Sequence, residues 1–156
     1  MRTRAVAAAD KSERRAAIVR AAAALLQRDP SAKFAVEAIA RRAGLAKGTV
    51  YLYFGSRDEV LLALHDQQSH ELFDVVERAL SAADSHGRRV VEDGLAYLRA
   101  HPEFYPIAGN CRYKLDTNIG TEAALAFKLG IARRLEPLGR RIEELYPGLA
   151  TGEGAA

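Results

Sequence analysis

Arg42, Lys47, Thr49, Tyr51, Tyr53 and Arg57 crowd into one short stretch of the chain, with Ala46 and Gly48 between them. Guanidinium and ammonium groups neutralise phosphates, and phenol hydroxyls donate to phosphate or stack on sugar. A threonine touches a base edge or a thymine methyl. That mixture suits double-stranded DNA.

Other chemistries are thinly supplied. His65 and His70 are five residues apart and do not share a helix face, so they read as solvated or lightly packed and not as metal ligands. Cys111 is the single cysteine, which excludes an intrachain disulfide and fits a reducing cytoplasm. Arg112 and Lys114 beside it would favour a reactive thiolate, but a small buried hydrophobe is the preferred reading. No Ser/His/Asp set, glycine-rich phosphate loop or paired carboxylate stands out. No catalytic residue, metal or cofactor is therefore expected.

The elements that must carry the cationic stretch form a helix-turn-helix between Ala35 and Phe54. Ala40 is the small residue where two helices cross closely. Gly44 sits in the turn, where a positive φ costs glycine nothing. Ile39 and Val50 pin the second helix to the first, and Phe54 closes the frame. Two short helices, about 36–43 and 47–53, follow from this spacing, the second offering its polar face to a groove. An ordinary helical corner would use Ala, Gly and Val for packing alone; here the outer face carries Lys, Thr and Tyr where a solvated corner would carry Glu or Asp.

The flanks support this reading. Asp10 to Glu13 has capping-box spacing, predicting a helix to about Arg28 that Asp29-Pro30 stops. Ile18, Ala22, Leu25 and Leu26 line one face of it. Ser56-Arg57-Asp58-Glu59 is a second capping box opening a long helix, and Gly87 breaks that run. Helices are expected over 88–100, near 104–112, and from Thr121 along the stripe Phe127, Ile131, Leu135, Leu138, Ile142 and Leu145, bent at Pro137. The tail 150–156, rich in Gly and Ala, is expected to be disordered. Nothing has strand periodicity.

Of 156 residues, 49% are hydrophobic, enough for a core without staples. Residues 1–60 hold 12 Lys+Arg against 6 Asp+Glu, and residues 61–156 hold 11 against 14. A basic head on a mildly acidic body is the pattern of a protein whose head alone meets a polyanion. No signal peptide or spanning segment is evident, so a cytoplasmic protein without membrane contact is expected.

Residues 12–62 resemble the DNA-binding domain of the TetR family of bacterial transcriptional regulators. The likeness rests on Ile18, Ala21 and Leu25, on Ile39-Ala40-x-x-Ala43-Gly44, on Lys47-Gly48-Thr49-Val50-Tyr51-x-Tyr53-Phe54, and on Ser56-Arg57-x-Glu59. The resemblance implies an all-α fold: a three-helix head, a long linking helix, and a helical half that binds a small molecule and dimerises. It also implies a homodimer on a palindromic operator, with repression lifted by an effector. Within such a body Tyr97, His101, Phe104, Tyr105, Cys111, Tyr113 and Phe127 would line the effector cavity; they suit the core of a small bundle equally.

Three departures stand out. Ala35 and Ala46 occupy positions where members usually have a Ser or Thr that caps a helix, a loss of about 1 kcal/mol each. The chain ends at Ala156, where members commonly continue with two helices of the dimer bundle; another dimer surface and a shortened form both fit. The resulting division is 1–60 as DNA head, 61–149 as regulatory body and 150–156 as tail. A helical protein–protein interaction module without DNA binding is the alternative.

Overall fold

A computed structural model describes the chain over 2–81, 87–114 and 119–155, with side chains from Asp10 onward except those of 112–114. The described residues form seven α-helices and one 3-10 turn, and contain no strand. The helices are α1 (Arg2–Leu26), α2 (Val36–Ala43), α3 (Lys47–Tyr51), α4 (Arg57–Ser81), α5 (Gly87–Ala100), α6 (Phe104–Lys114) and α7 (Thr121–Leu145). The all-α expectation holds.

Local chemistry sets most boundaries. The first helix begins well before Asp10, because the Ala-rich segment ahead of it has high helix propensity and carries the ladder through. Asp10 is therefore no cap; its carboxylate accepts a hydrogen bond from Arg14 Nε at 3.2 Å, one turn on. Beyond α1, Asp29 Oδ1 accepts from the Ser31 amide at 3.0 Å and its hydroxyl at 2.7 Å, turning the chain at Pro30. The second capping box forms as expected. The Glu59 amide donates to Ser56 Oγ at 3.1 Å, and the Glu59 carboxylate accepts from the Gly55 amide at 2.7 Å. Gly87 opens α5 and so belongs to the helix it was expected to precede. Pro137 lies inside α7, which runs on through it.

The α4 helix is the hub. It packs on α1 of the head and on α5, α6 and α7 of the body. One buried cluster runs from Ile18, Ala22, Ile39 and Val50 through Val60, Leu61 and Leu64 to Ile107, Cys111 and Ile119. The core thus crosses residue 60 without a gap.

The expectation of a disordered tail is corrected. Glu153–Ala155 form a 3-10 turn folded back on α7. Glu143 Oε1 accepts from the Gly152 and Gly154 amides at 2.7 and 3.2 Å, and Glu153 closes on the Ala150 amide at 2.7 Å. The tail lies this close because Gly139 beneath it has no side chain; a Cβ there would stand 2.6 Å from that of Ala155. The sequence bias that suggested disorder is what permits the contact.

Candidate nucleic-acid interface

The turn between α2 and α3 is built by the backbone. Gly44 adopts φ +69°, its amide donates to Arg41 O at 3.3 Å, and the Leu45 amide donates to Ala40 O at 2.9 Å. These two bonds make a Schellman closure, satisfying carbonyls the helix end would otherwise leave open. Ile39, Ala40, Val50 and Phe54 are all buried together, as the framework reading required. Arg15 of α1 lies over the Phe54 ring at 4.9 Å, closing the three-helix head from the other side.

With its inner face held this way, α3 turns Lys47, Gly48 and Tyr51 to solvent, with Thr49 half-buried beside them. Ala46 is the N-cap and makes no side-chain cap bond; Ala35 likewise leaves the start of α2 uncapped by a side chain. At both helix starts the backbone serves in place of a side-chain cap: the Ala38 and Thr49 amides donate to the Ala35 and Ala46 carbonyls, each at 3.0 Å. Arg42 is exposed at the end of α2, where its charge complements the helix dipole. Tyr53 is half-buried behind α3.

Two features were invisible in the sequence. Lys47 forms an ion pair with Glu37 of α2 and lies 5.8 Å from the Tyr51 ring. The shared hydrogen bond is the first cause that holds the Glu37 carboxyl below its ordinary range and the Lys47 ammonium above its own; a backbone hydrogen bond adds to it at Glu37, and the charge of Glu37 adds to it at Lys47. Arg57 does not stand free at the start of α4. Its guanidinium stacks on Phe34 at 4.9 Å and reaches Asp58 at 3.5 Å, so it is aimed along the head–body junction. Glu37 and Phe34 each lie on a different element from the cation they meet, so no spacing rule could have found them.

The residues expected around an effector cavity divide into separate places. Phe104 and Phe127 do meet, across His65, with ring centroids 5.1 and 5.5 Å from the imidazole. With Phe73, Ile131 and Leu135 they wall an open recess of about 490 Å³ between α4, α6 and α7. Burial lowers the His65 pKa there, favouring the neutral ring. Tyr97 and His101 are elsewhere, stacked on each other at 4.3 Å. The Tyr97 hydroxyl donates to Glu71 at 2.8 Å, and burial first, then that bond, raises its pKa. Glu103, fully buried, accepts from Gln68 Nε2 at 2.7 Å. Tyr105 is exposed on the outer surface of α6, and Cys111 is buried near Leu61 and Ile119. The side chains of Arg112, Tyr113 and Lys114 lie outside the described residues. The family resemblance grouped these residues; the packing of α5, α6 and α7 on α4 separates them.

Among the described residues no group of His, Cys, Asp and Glu could hold a metal ion, and no helix is long and apolar enough to cross a membrane.

The profile described as "Bacterial regulatory proteins, tetR family" matches residues 18–64, and "Tetracyclin repressor-like, C-terminal domain" matches 66–156. No curated protein matches. Among solved structures the chain is similar to the TetR family regulator PfmR from Thermus thermophilus, at 24% identity and a TM-score of 0.58, over 88% of this chain and 76% of that one. It is similar to a TetR family regulator from Marinobacter aquaeolei at 20% identity and a TM-score of 0.58, over 92% and 73%. A third likeness is to the fatty acid degradation regulator FadR from Bacillus halodurans, at 25% identity and a TM-score of 0.58, over 88% and 74%. With both halves of the molecule matched and the helix-turn-helix frame buried as that fold demands, the chain belongs to the TetR family and is a DNA-binding transcriptional regulator.

Proposed function

We propose that this regulator is a repressor that binds a palindromic operator as a homodimer and leaves it when a small molecule enters the body. Residues 1–60 serve as the DNA head and 61–149 as the regulatory body. Arg42, Lys47 and Arg57 neutralise phosphates; Tyr51 and Tyr53 donate to phosphate or stack on sugar. Thr49 reads a base edge, and Ala46 and Gly48 bring the backbone near. The observation that carries the reading is the exposed polar face of α3 on a fully buried frame of Ile39, Ala40 and Val50. Two such faces would enter successive major grooves about 34–36 Å apart.

The effector belongs in the recess between α4, α6 and α7, where Phe73, Phe104, Phe127, Ile131 and Leu135 suit an apolar body and His65 and Ser69 give it a polar edge. Because α4 joins that recess to the head, an effector that prefers one setting of α4 shifts the spacing of the two heads. No residue is assigned a catalytic role.

Selection of bound fragments from random DNA at two salt concentrations tests the proposal. Enrichment of a palindrome supports a dimer on an operator; a half-site alone removes the dimer, and absence of binding at either salt favours the interaction-module reading. Lys47→Ala is expected to weaken binding and flatten the log–log salt dependence by about one unit. An unchanged slope removes Lys47 from the phosphate contacts.

A further inference from the structure

A recess larger than the one over α7 opens at the junction of head and body, with a volume of about 600 Å³. Its walls come from four places: the end of α1 at Leu26, the 30–35 connection of the head, the start of α4, and α6. Phe34, Leu61 and Ile107 supply apolar surface, while Lys33, Arg57 and Asn110 supply polar groups. Two cations thus line a recess to which no carboxylate among the described residues contributes a wall. Asp58, beside it, meets Arg57 Nη1 at 3.5 Å.

Arg57 is held like a binding group. Stacking on Phe34 fixes the plane of its guanidinium, and among the described residues its buried Nε has no hydrogen-bond partner. The Arg57 side chain keeps 26% of its surface exposed and lines the recess, so an anion entering there can approach the guanidinium. A planar, two-oxygen anion is the acceptor that a guanidinium edge matches best.

We propose that this junctional recess binds a small amphipathic carboxylate, its anion on Arg57 and its apolar body against Phe34, Leu61 and Ile107, and that the bound anion weakens DNA binding. The second half rests on the assignment of Arg57 to DNA phosphate. A carboxylate on Arg57 withdraws that charge from the duplex. A body that touches the 30–35 connection and α6 together also ties the head to one setting against the body. By linkage, DNA then weakens the anion to the same degree.

Calorimetry on the DNA-free protein with 2-naphthoate, and with neutral 2-naphthamide as its control, tests the site. The acid is expected to bind about tenfold more tightly than the amide, the scale of one charge-assisted hydrogen bond. Arg57→Gln should erase that difference, and Asn110→Trp, at the exposed rim, should remove binding of both while helicity is unchanged. Amide shifts should fall at 31–35 and 107–110. No binding, equal affinity for acid and amide, an advantage retained in Arg57→Gln, or shifts confined to the Phe104–Phe127 recess would each overturn the site. Anisotropy on a mixed-sequence duplex tests the coupling: the acid should lower DNA affinity, and unchanged affinity with the recess filled overturns that half. Because the first readout contains no DNA, a failure of the DNA assignment would leave the calorimetric result standing.

Discussion

The head and the two outer helices of the body, α5 and α7, bury their apolar side chains to different depths. In the head, Ile18, Ala22, Ile39 and Val50 are at most 1% exposed, and the long α1 and the two short helices α2 and α3 share one aliphatic centre. In the body, α5 has no buried residue, and α7 buries only Ala124 and Gly139. Val91, Leu95, Leu125 and Leu129 face outward. What secures the body to α4 is partly polar: Gln68 to Glu103, Tyr97 to the Gln68 carbonyl and Glu71, and Arg134 to Asp74 and Glu77. A reading surface has to be delivered as one rigid constellation, and close aliphatic packing does that. Helices held by fewer buried contacts shift at smaller cost, which suits a part that must respond to a ligand.

The sharpest way to break this contrast is to remove one aliphatic side chain from each half. Ile39→Ala should cost about 2–5 kcal/mol in urea unfolding, whereas Leu95→Ala, on a surface helix, should cost less than about 0.5 kcal/mol. Comparable losses would mean that α5 is as tightly packed as the head. Glu103→Ala probes the polar clasp. It strands the buried Gln68 amide, and a loss of about 1–3 kcal/mol is expected, read by thermal melting; a neutral result would make the clasp incidental.

Gly44→Ala isolates the turn. Nothing lies within 4 Å of an added Cβ, so the expected loss of about 1–2 kcal/mol is backbone strain alone. A far larger loss would reveal a steric clash that the fold does not contain.

The smallest effect concerns pH. His65 has a folded pKa below its ordinary 6.5 because burial disfavours the imidazolium. Its contribution is therefore intact above that ordinary value and declines as pH falls from there towards the depressed one. Melting wild type and His65→Gln side by side from pH 8 to pH 5 should show a steeper decline for wild type. Parallel curves would remove His65 as the cause.

The head was largely legible because its determinants are local. A positive-φ glycine, a small residue at a helix crossing, a capping box and an i, i+3, i+4 face each act within a few residues, and such signals survive in the sequence. The first-helix start failed for an instructive reason: Asp10 has the right spacing for a cap, yet alanine propensity upstream continued the ladder through it. The tail failed in the same way, since glycine content reports flexibility in isolation but not the accepting carboxylate of Glu143 that waits on α7.

By itself, then, the sequence determined that the chain is helical, where the helix-turn-helix turns, and that α3 turns Lys47 and Tyr51 outward on an apolar frame. Only the tertiary structure decided that Lys47 pairs with Glu37, that Arg57 lies on Phe34 at the junction, and that Phe104 and Phe127 share a recess from which Tyr97 and His101 are absent. The physical reason is range. Gln68 and Glu103 are 35 residues apart, and what brings them together is how one helix packs across another, a quantity set by the summed shape of many side chains and not by the spacing of any few.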